Sequence, residues 1–166
     1  MKTKILTILK ERSGFVSGQA LCGQLGVSRT AVWKVIRQLE EEGYVIEAVR
    51  NKGYRLVEAA DVMTEAEIGS LIRTERMGKR LVYLPQTDST NIQARRLGQE
   101  GYPDGTLVVA ETQTAGKGRR GRSWSSPAGS SIYMSLLLRP DIPPYSASMI
   151  TLVAGMAVSQ AVREMT

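Results

Sequence analysis

Thr114-Ala115-Gly116-Lys117-Gly118-Arg119-Arg120-Gly121-Arg122-Ser123-Trp124 packs three glycines and four cations into the seven residues from Gly116 to Arg122. A core element cannot carry that much charge and backbone freedom. Glycine lets the backbone wrap a small anion closely, and the cations can neutralise it. The run is not a Walker loop, because it lacks the terminal Gly-Lys-Ser/Thr and the helix that follows. Arginine pairs bidentately with phosphate or carboxylate through its planar fork. The composition predicts a surface loop that is mobile when empty and orders around an anionic ligand. A basic turn for nucleic acid fits the same composition.

The flanks of this loop read as strands alternating with helices. Leu81–Leu84, Thr106–Ala110 and Ser131–Leu138 are strand candidates, and Ser89–Gly98 and Ala147–Glu164 are helices, the latter long and apolar. Asp88-Ser89-Thr90-Asn91 falls where a strand gives way to a helix. Such a corner directs free backbone N–H groups and short polar side chains at one spot, although a plain helix cap has the same sequence. Glu111-Thr112-Gln113-Thr114 leads from a strand into the loop. Gln113 both donates and accepts, which suits an amide- or urea-like ligand.

Before Glu58 the pattern differs. Ile5, Ile8 and Leu9 lie at helical spacing within residues 2–12, and Gly14 ends that helix. Ser17 caps a second helix carrying Ala20, Leu21 and Leu25, and Ser28 caps a third that stops at Gly43. Two β-prone runs, Tyr44–Val49 and Tyr54–Val57, join through Arg50-Asn51-Lys52-Gly53. This is the order of a winged helix-turn-helix. On the third helix Val32, Val35, Ile36 and Leu39 form the apolar stripe, and Thr30, Lys34 and Arg37 lie opposite, flanked by Arg29 and Trp33. A recognition helix needs that division, with Arg50 and Lys52 adding phosphate contacts from the wing. Ser28, Arg29, Thr30, Trp33, Lys34, Arg37, Arg50 and Lys52 are therefore the candidate DNA contacts. Trp33 could equally be a packing residue, and the whole unit a protein-interaction module. Residues 1–58 hold ten basic and six acidic side chains. Thr64-Glu65-Ala66-Glu67 reads as a capping box that starts a helix with Ile68, Leu71 and Ile72 on one side.

The whole chain has 166 residues, a net charge of +6 and a pI near 9.7, which favours an anionic partner. With no histidine and a single cysteine, Cys22, a histidine-based triad and an ordinary zinc site are excluded. No metal site is expected. The chain shows no signal-peptide pattern and no apolar run of membrane-spanning length, so the expectation is a cytoplasmic protein that engages no membrane.

Taken together, the N-terminal winged helix, Asp88-Ser89-Thr90-Asn91, Glu111-Thr112-Gln113, Ala115–Arg122 and Trp124 resemble the bifunctional biotin protein ligase/biotin operon repressor family. The Gly-Lys-Gly-Arg-Arg-Gly-Arg run before a tryptophan is the most specific part. The resemblance implies an α+β chain: a winged helix-turn-helix domain over residues 1–60, a linker and helix over 61–79, and over 80–166 the first part of an α/β ligase domain. That domain has a mixed sheet and is related to class II aminoacyl-tRNA synthetases. It implies that biotin and ATP, the latter as its magnesium complex, form biotinyl-5′-AMP, and that a lysine of a biotin carboxyl carrier protein then takes the biotin.

By the same resemblance Ser89, Thr90, Asn91 and Gln113 line the biotin ureido end. Lys117, Gly118 and Arg119 close over the carboxylate, with Lys117 and Arg119 the catalytic candidates. Gly116, Arg120, Gly121, Arg122 and Trp124 serve the nucleotide side. The implied partners are the carrier protein of a biotin-dependent carboxylase, operator DNA, and a second copy of the chain when adenylate is bound. Two departures stand out. Lys117 replaces the family's usual first arginine, and a Trp-Pro-Asn-Asp-type segment with its catalytic lysine does not occur before Thr166, so the chain reads as an N-terminal portion. The other readings are a DNA-binding regulator without ligase activity, a lipoate-type ligase, and a protein that binds nucleic acid alone.

Overall fold

The computed structural model describes residues 1–165, with the side chain of Arg119 outside the description. Three helices come first: α1 (Lys2–Glu11), α2 (Gly18–Leu25) and α3 (Arg29–Glu41). Ser17 accepts the Ala20 amide at 3.0 Å and Ser28 the Ala31 amide at 3.2 Å, so both predicted caps form. Between them Gly26 turns the chain with φ 64°. β1 (Val45–Val49) and β2 (Gly53–Glu58) pair antiparallel through a turn in which Asn51 takes φ 65°. Val16 and Tyr54 exchange backbone bonds of 2.8 and 2.9 Å, which ties the wing to the segment before α2. Gly53 is required there, because a Cβ would lie 2.0 Å from the Val16 carbonyl.

The core of this unit follows the predicted stripes, except that Leu6 joins it, Ile8 and Leu25 are only partly buried and Ala20 is exposed. Ile5, Leu6, Leu9, Leu21 and the stripe Val32, Val35, Ile36, Leu39 are all buried, with Tyr44 and Ile46 closing the side toward the wing. Each such side chain contributes roughly 1.5–3 kcal/mol on burial.

Helix α4 (Glu65–Leu71) differs from its sequence reading in two ways. Its buried residues are Ala66 and Ser70, while Leu71 is 58% exposed. Small side chains let α4 approach α1 so closely that a Cβ on Gly69 would lie 2.8 Å from the Thr3 methyl. The capping box is also only half made. Thr64 accepts the Glu67 amide at 3.2 Å, but the Glu67 carboxylate turns to Lys10 and Tyr44 instead of back to the cap. An ammonium and a buried phenol compete for it better than a neutral backbone amide does.

The remaining elements build a mixed sheet of order β3-β4-β5: β3 (Leu81–Thr87) parallel to β4 (Thr106–Gln113), and β4 antiparallel to β5 (Tyr133–Leu137). Helix α5 (Thr90–Gln99) makes the crossover from β3 to β4 and packs on β4 and β5. The fold is thus α+β, a winged helix followed by an α/β element pattern.

Helix α6 (Met149–Met165) has no buried residue. Pro144–Met165 spans 22 residues, its most apolar 18-residue stretch has mean hydropathy 1.3, and it is long and apolar enough to cross a membrane by length and composition. This corrects the expectation that no such run exists. Thr151, Ser159 and Gln160 interrupt the apolar letters without lowering the average enough to shorten the segment.

Candidate functional site

The end of β4, the start of α5 and the middle of β5 bring a set of short polar side chains together. Gln113, the last residue of β4, accepts the Thr90 amide at 2.8 Å and the Thr90 hydroxyl at 3.2 Å on Oε1. Its Nε2 donates to the Ser126 hydroxyl at 3.1 Å. The Ser135 hydroxyl lies 2.9 Å from both Thr90 Oγ1 and Asn91 Oδ1, and has one proton to give. Ser89, Thr90, Asn91 and Gln113 are therefore assembled at one corner. Ser126 and Ser135 complete it and were missed from the sequence. Ser135 could have been noticed as a lone hydroxyl in the otherwise apolar strand Tyr133-Met134-Ser135-Leu136-Leu137. Ser126 carried no signal, because the antiparallel bridge that brings it to Gln113 closes a long loop.

The backbone N–H groups expected to be free at this corner are partly spent. The Ser89 amide donates to Asp88 Oδ1 at 2.7 Å, and that of Thr90 goes to Gln113. What stays uncommitted is a side chain. Ser89 is 5% exposed and makes no cap bond, and its hydroxyl has no hydrogen-bond partner among the described residues. The oxygen itself is not among the fully buried unpartnered atoms of the described residues, so it keeps some access from outside. Asp88 beside it is held below the usual carboxylate range, first by the Ser89 amide, then by the Gln93 side chain, with Thr87 and Arg96 adding to the effect.

The glycine- and arginine-rich run follows Gln113 after Thr114 and Ala115. It forms a hairpin: Gly118 N–H donates to the Arg122 carbonyl at 2.7 Å, Trp124 N–H donates to Gly116 at 2.8 Å, and Lys117 bridges Ser123. A tight 3₁₀ turn, Arg119–Gly121, forms the tip, where Arg120 has φ 62° and Gly121 φ 73°. Gly116 sits at its base, where a Cβ would lie 2.8 Å from the Trp124 carbonyl and 3.0 Å from Ser126 Oγ. The loop thus springs directly from the polar corner. Lys117, Arg120, Arg122 and Trp124 are exposed, and none of the three cations pairs with an acid among the described residues. The Arg119 side chain lies outside the described residues. No cluster of three or more acidic, cysteine or histidine ligands occurs among the described residues.

On the winged helix, Arg29, Thr30, Trp33, Lys34 and Arg37 all face solvent from α3. Trp33 is 50% exposed, with the Arg37 guanidinium 5.5 Å from its ring centre and Glu40 3.2 Å from Arg37. Ser28 is spent as the helix cap. Arg50 and Lys52 project from the turn, and a groove of about 500 Å³ runs between Ser17, Arg29, Val32, Arg50, Asn51 and Tyr54. The face carries Arg29, Lys34 and Arg37 along α3, the charge a groove-reading helix requires.

The family described as "Biotin/lipoate A/B protein ligase family" matches residues 83–166, and a helix-turn-helix family, "HTH domain", matches residues 2–55. The "Bifunctional ligase/repressor BirA" of Bacillus subtilis (strain 168) is 49% identical over 150 residues, covering 90% of this chain and 46% of that protein. The protein of the same name from Escherichia coli (strain K12) is 34% identical over 161 residues, covering 96% and 48%. The chain spans about half the length of these curated relatives. A solved structure titled "Biotin protein ligase from Aquifex aeolicus in complex with biotin and ATP" is 40% identical, covers 53% of this chain and 36% of that one, and superposes with a TM-score of 0.45.

Proposed function

The chain belongs to the biotin/lipoate A/B protein ligase family, and we propose that it is part of a biotin–protein ligase that also represses transcription in response to biotin. Residues 1–60 would be the operator-binding unit, 61–79 the linker and helix, and 80–166 part of the ligase domain. Biotin and Mg-ATP are the proposed substrates, and a biotin carboxyl carrier protein the proposed acceptor.

The unpartnered Ser89 hydroxyl carries this reading. A urea offers two N–H donors and a carbonyl acceptor, and the corner offers matching groups. Ser89 Oγ is free to donate or accept, Asn91 has an exposed amide, and Gln113 Nε2 keeps a second N–H beyond its bond to Ser126. In this reading Lys117, Gly118 and Arg119, on the hairpin that starts at Gly116, serve the carboxylate end of a ligand seated in the corner, and Arg120, Gly121, Arg122 and Trp124 serve the nucleotide side. Unpaired cations placed where negative charge builds on a phosphate lower the barrier to adenylate formation. A folded loop over the adenylate keeps water from the anhydride. Magnesium would come with the triphosphate, the usual form of ATP.

Calorimetric titration of the full-length gene product with biotin tests the pocket. Ser89→Ala is expected to weaken binding about tenfold, the worth of one hydrogen bond to a desolvated ligand. Unchanged affinity would remove Ser89 from the site.

The winged helix presents α3 to the major groove, with Arg50 and Lys52 on flanking phosphates. A two-fold dimer formed on adenylate binding would match a palindromic operator. Operator affinity is then expected to rise with biotinyl-5′-AMP, and equal affinities in its presence and absence would separate the two functions.

A further inference from the structure

We infer that Asp88 is a positioning residue of the ligand pocket, holding Ser89 out of the helix-capping conformation so that its hydroxyl stays available to the ligand. The inference rests on the proposed role of the Ser89–Asn91 corner in biotin binding.

Four helices in this chain begin after a serine; Ser148 leads into α6 directly out of the Pro144–Ser146 3₁₀ turn, and of the other three serines two behave alike. Ser17 (φ −65°, ψ 143°) and Ser28 (φ −74°, ψ 158°) each give their oxygen to the amide three residues on. Ser89 holds the same position before α5 and does not, its backbone lying at φ −162° and ψ 134°. The difference traces to the residue before it. Asp88 Oδ1 takes the Ser89 amide at 2.7 Å, a contact with no counterpart at the other two caps. The same oxygen accepts from Gln93 Nε2 at 2.9 Å and from the Thr87 hydroxyl at 3.1 Å, and Arg96 lies 3.1 Å from Oδ2. Two of these partners, Gln93 and Arg96, come from α5 itself. The carboxylate is therefore fixed to the helix, and it fixes Ser89 in turn. Negative charge at this end of α5 is also favoured by the helix dipole, which compensates for the missing side-chain cap.

The Asp88 carbonyl accepts the Ala115 amide at 2.8 Å, one residue before the hairpin begins. Asp88 thus ties the pocket corner to the base of the loop proposed to close over the ligand. Without the carboxylate, nothing restrains Ser89 from the ordinary capping geometry, in which its oxygen would be used by an amide of the first turn.

Two measurements test this. In a crystal structure of Asp88→Ala, Ser89 Oγ is expected within hydrogen-bond distance of the Asn91 or Ile92 amide; an unmoved Ser89 overturns the inference whether or not biotin binds. In biotin titrations of the full-length gene product, Asp88→Ala and Ser89→Ala are each expected to weaken binding about tenfold. The double variant should lose about tenfold too, since both changes remove the same hydroxyl. Asp88→Asn keeps an acceptor for the Ser89 amide and should recover most of the affinity, which a role limited to charge would not allow. Independent losses multiplying to about a hundredfold, or wild-type affinity in Asp88→Ala, would refute the coupling. Failure of the unmodified protein to bind biotin would instead remove the ligand reading, leaving the crystal comparison to decide the role of Asp88.

Discussion

Glu67→Ala is expected to loosen the seam between α4 and the winged helix by about 3 kcal/mol. Glu67 receives both the Lys10 ammonium and the Tyr44 phenol. The Glu67 and Lys10 side chains are only 14% and 15% exposed, and Tyr44 is 2% exposed. Removing the carboxylate strands two donors at once. A fully buried charge left without its partner costs about 3–5 kcal/mol. Lys10 can swing its tip toward water on a flexible stem, which reduces its share to about 2 kcal/mol. The phenol cannot move, and an unsatisfied neutral donor adds about 1 kcal/mol. Glu67→Gln keeps an acceptor for Tyr44 and loses only the ionic part, so it should cost about 2 kcal/mol. Urea titrations followed by far-UV circular dichroism would measure both variants, with the change read from the midpoint at constant slope. A loss below about 1 kcal/mol for Glu67→Ala would mean that water replaces the carboxylate, and the seam would then owe its stability to the small-residue contact alone.

Burial, reinforced by the hydrogen bond to Glu67 and its charge, pushes the Tyr44 phenol above its ordinary value of 10.0. Above that pH the unfolded chain ionises this phenol before the folded chain does, so Tyr44 should make stability fall as pH rises past 10, and Tyr44→Phe should flatten that part of the profile. Gly116→Ala should strain the hairpin base against the Trp124 carbonyl, and faster amide exchange at Trp124 and Gly118 would report it; unchanged protection would show that the loop shifts freely. Arg37→Ala should weaken DNA binding and lower the salt slope by about 1, whereas an unaltered slope would mean that Arg37 meets no phosphate.

The N-terminal half was legible because its signals are local. Ser17, Ser28 and Thr64 cap within three residues, and the stripe from Val32 to Leu39 points to a core by period alone. Misreadings arose where a distant partner decides. Glu67 looked like half of a capping box until Lys10 and Tyr44, far away in sequence, claimed it. Leu71 outranked Ala66 as a core candidate by size, but close packing on α1 favoured the smaller residue. At the polar corner, residue types pointed to Thr90, Asn91 and Gln113, and only the register of β5 on β4 brings in Ser135. Asp88 was visible in the motif, but its hold on Ser89 appears only when three serine caps can be compared in space.

The most direct test of the proposed ligase is to incubate the full-length gene product with biotin, Mg-ATP and a biotin carboxyl carrier domain, and to weigh the carrier by mass spectrometry. An ATP-dependent mass increase on a single carrier lysine is expected, lost in Ser89→Ala at low biotin and recovered at high biotin. A carrier of unchanged mass at saturating biotin and ATP would contradict it.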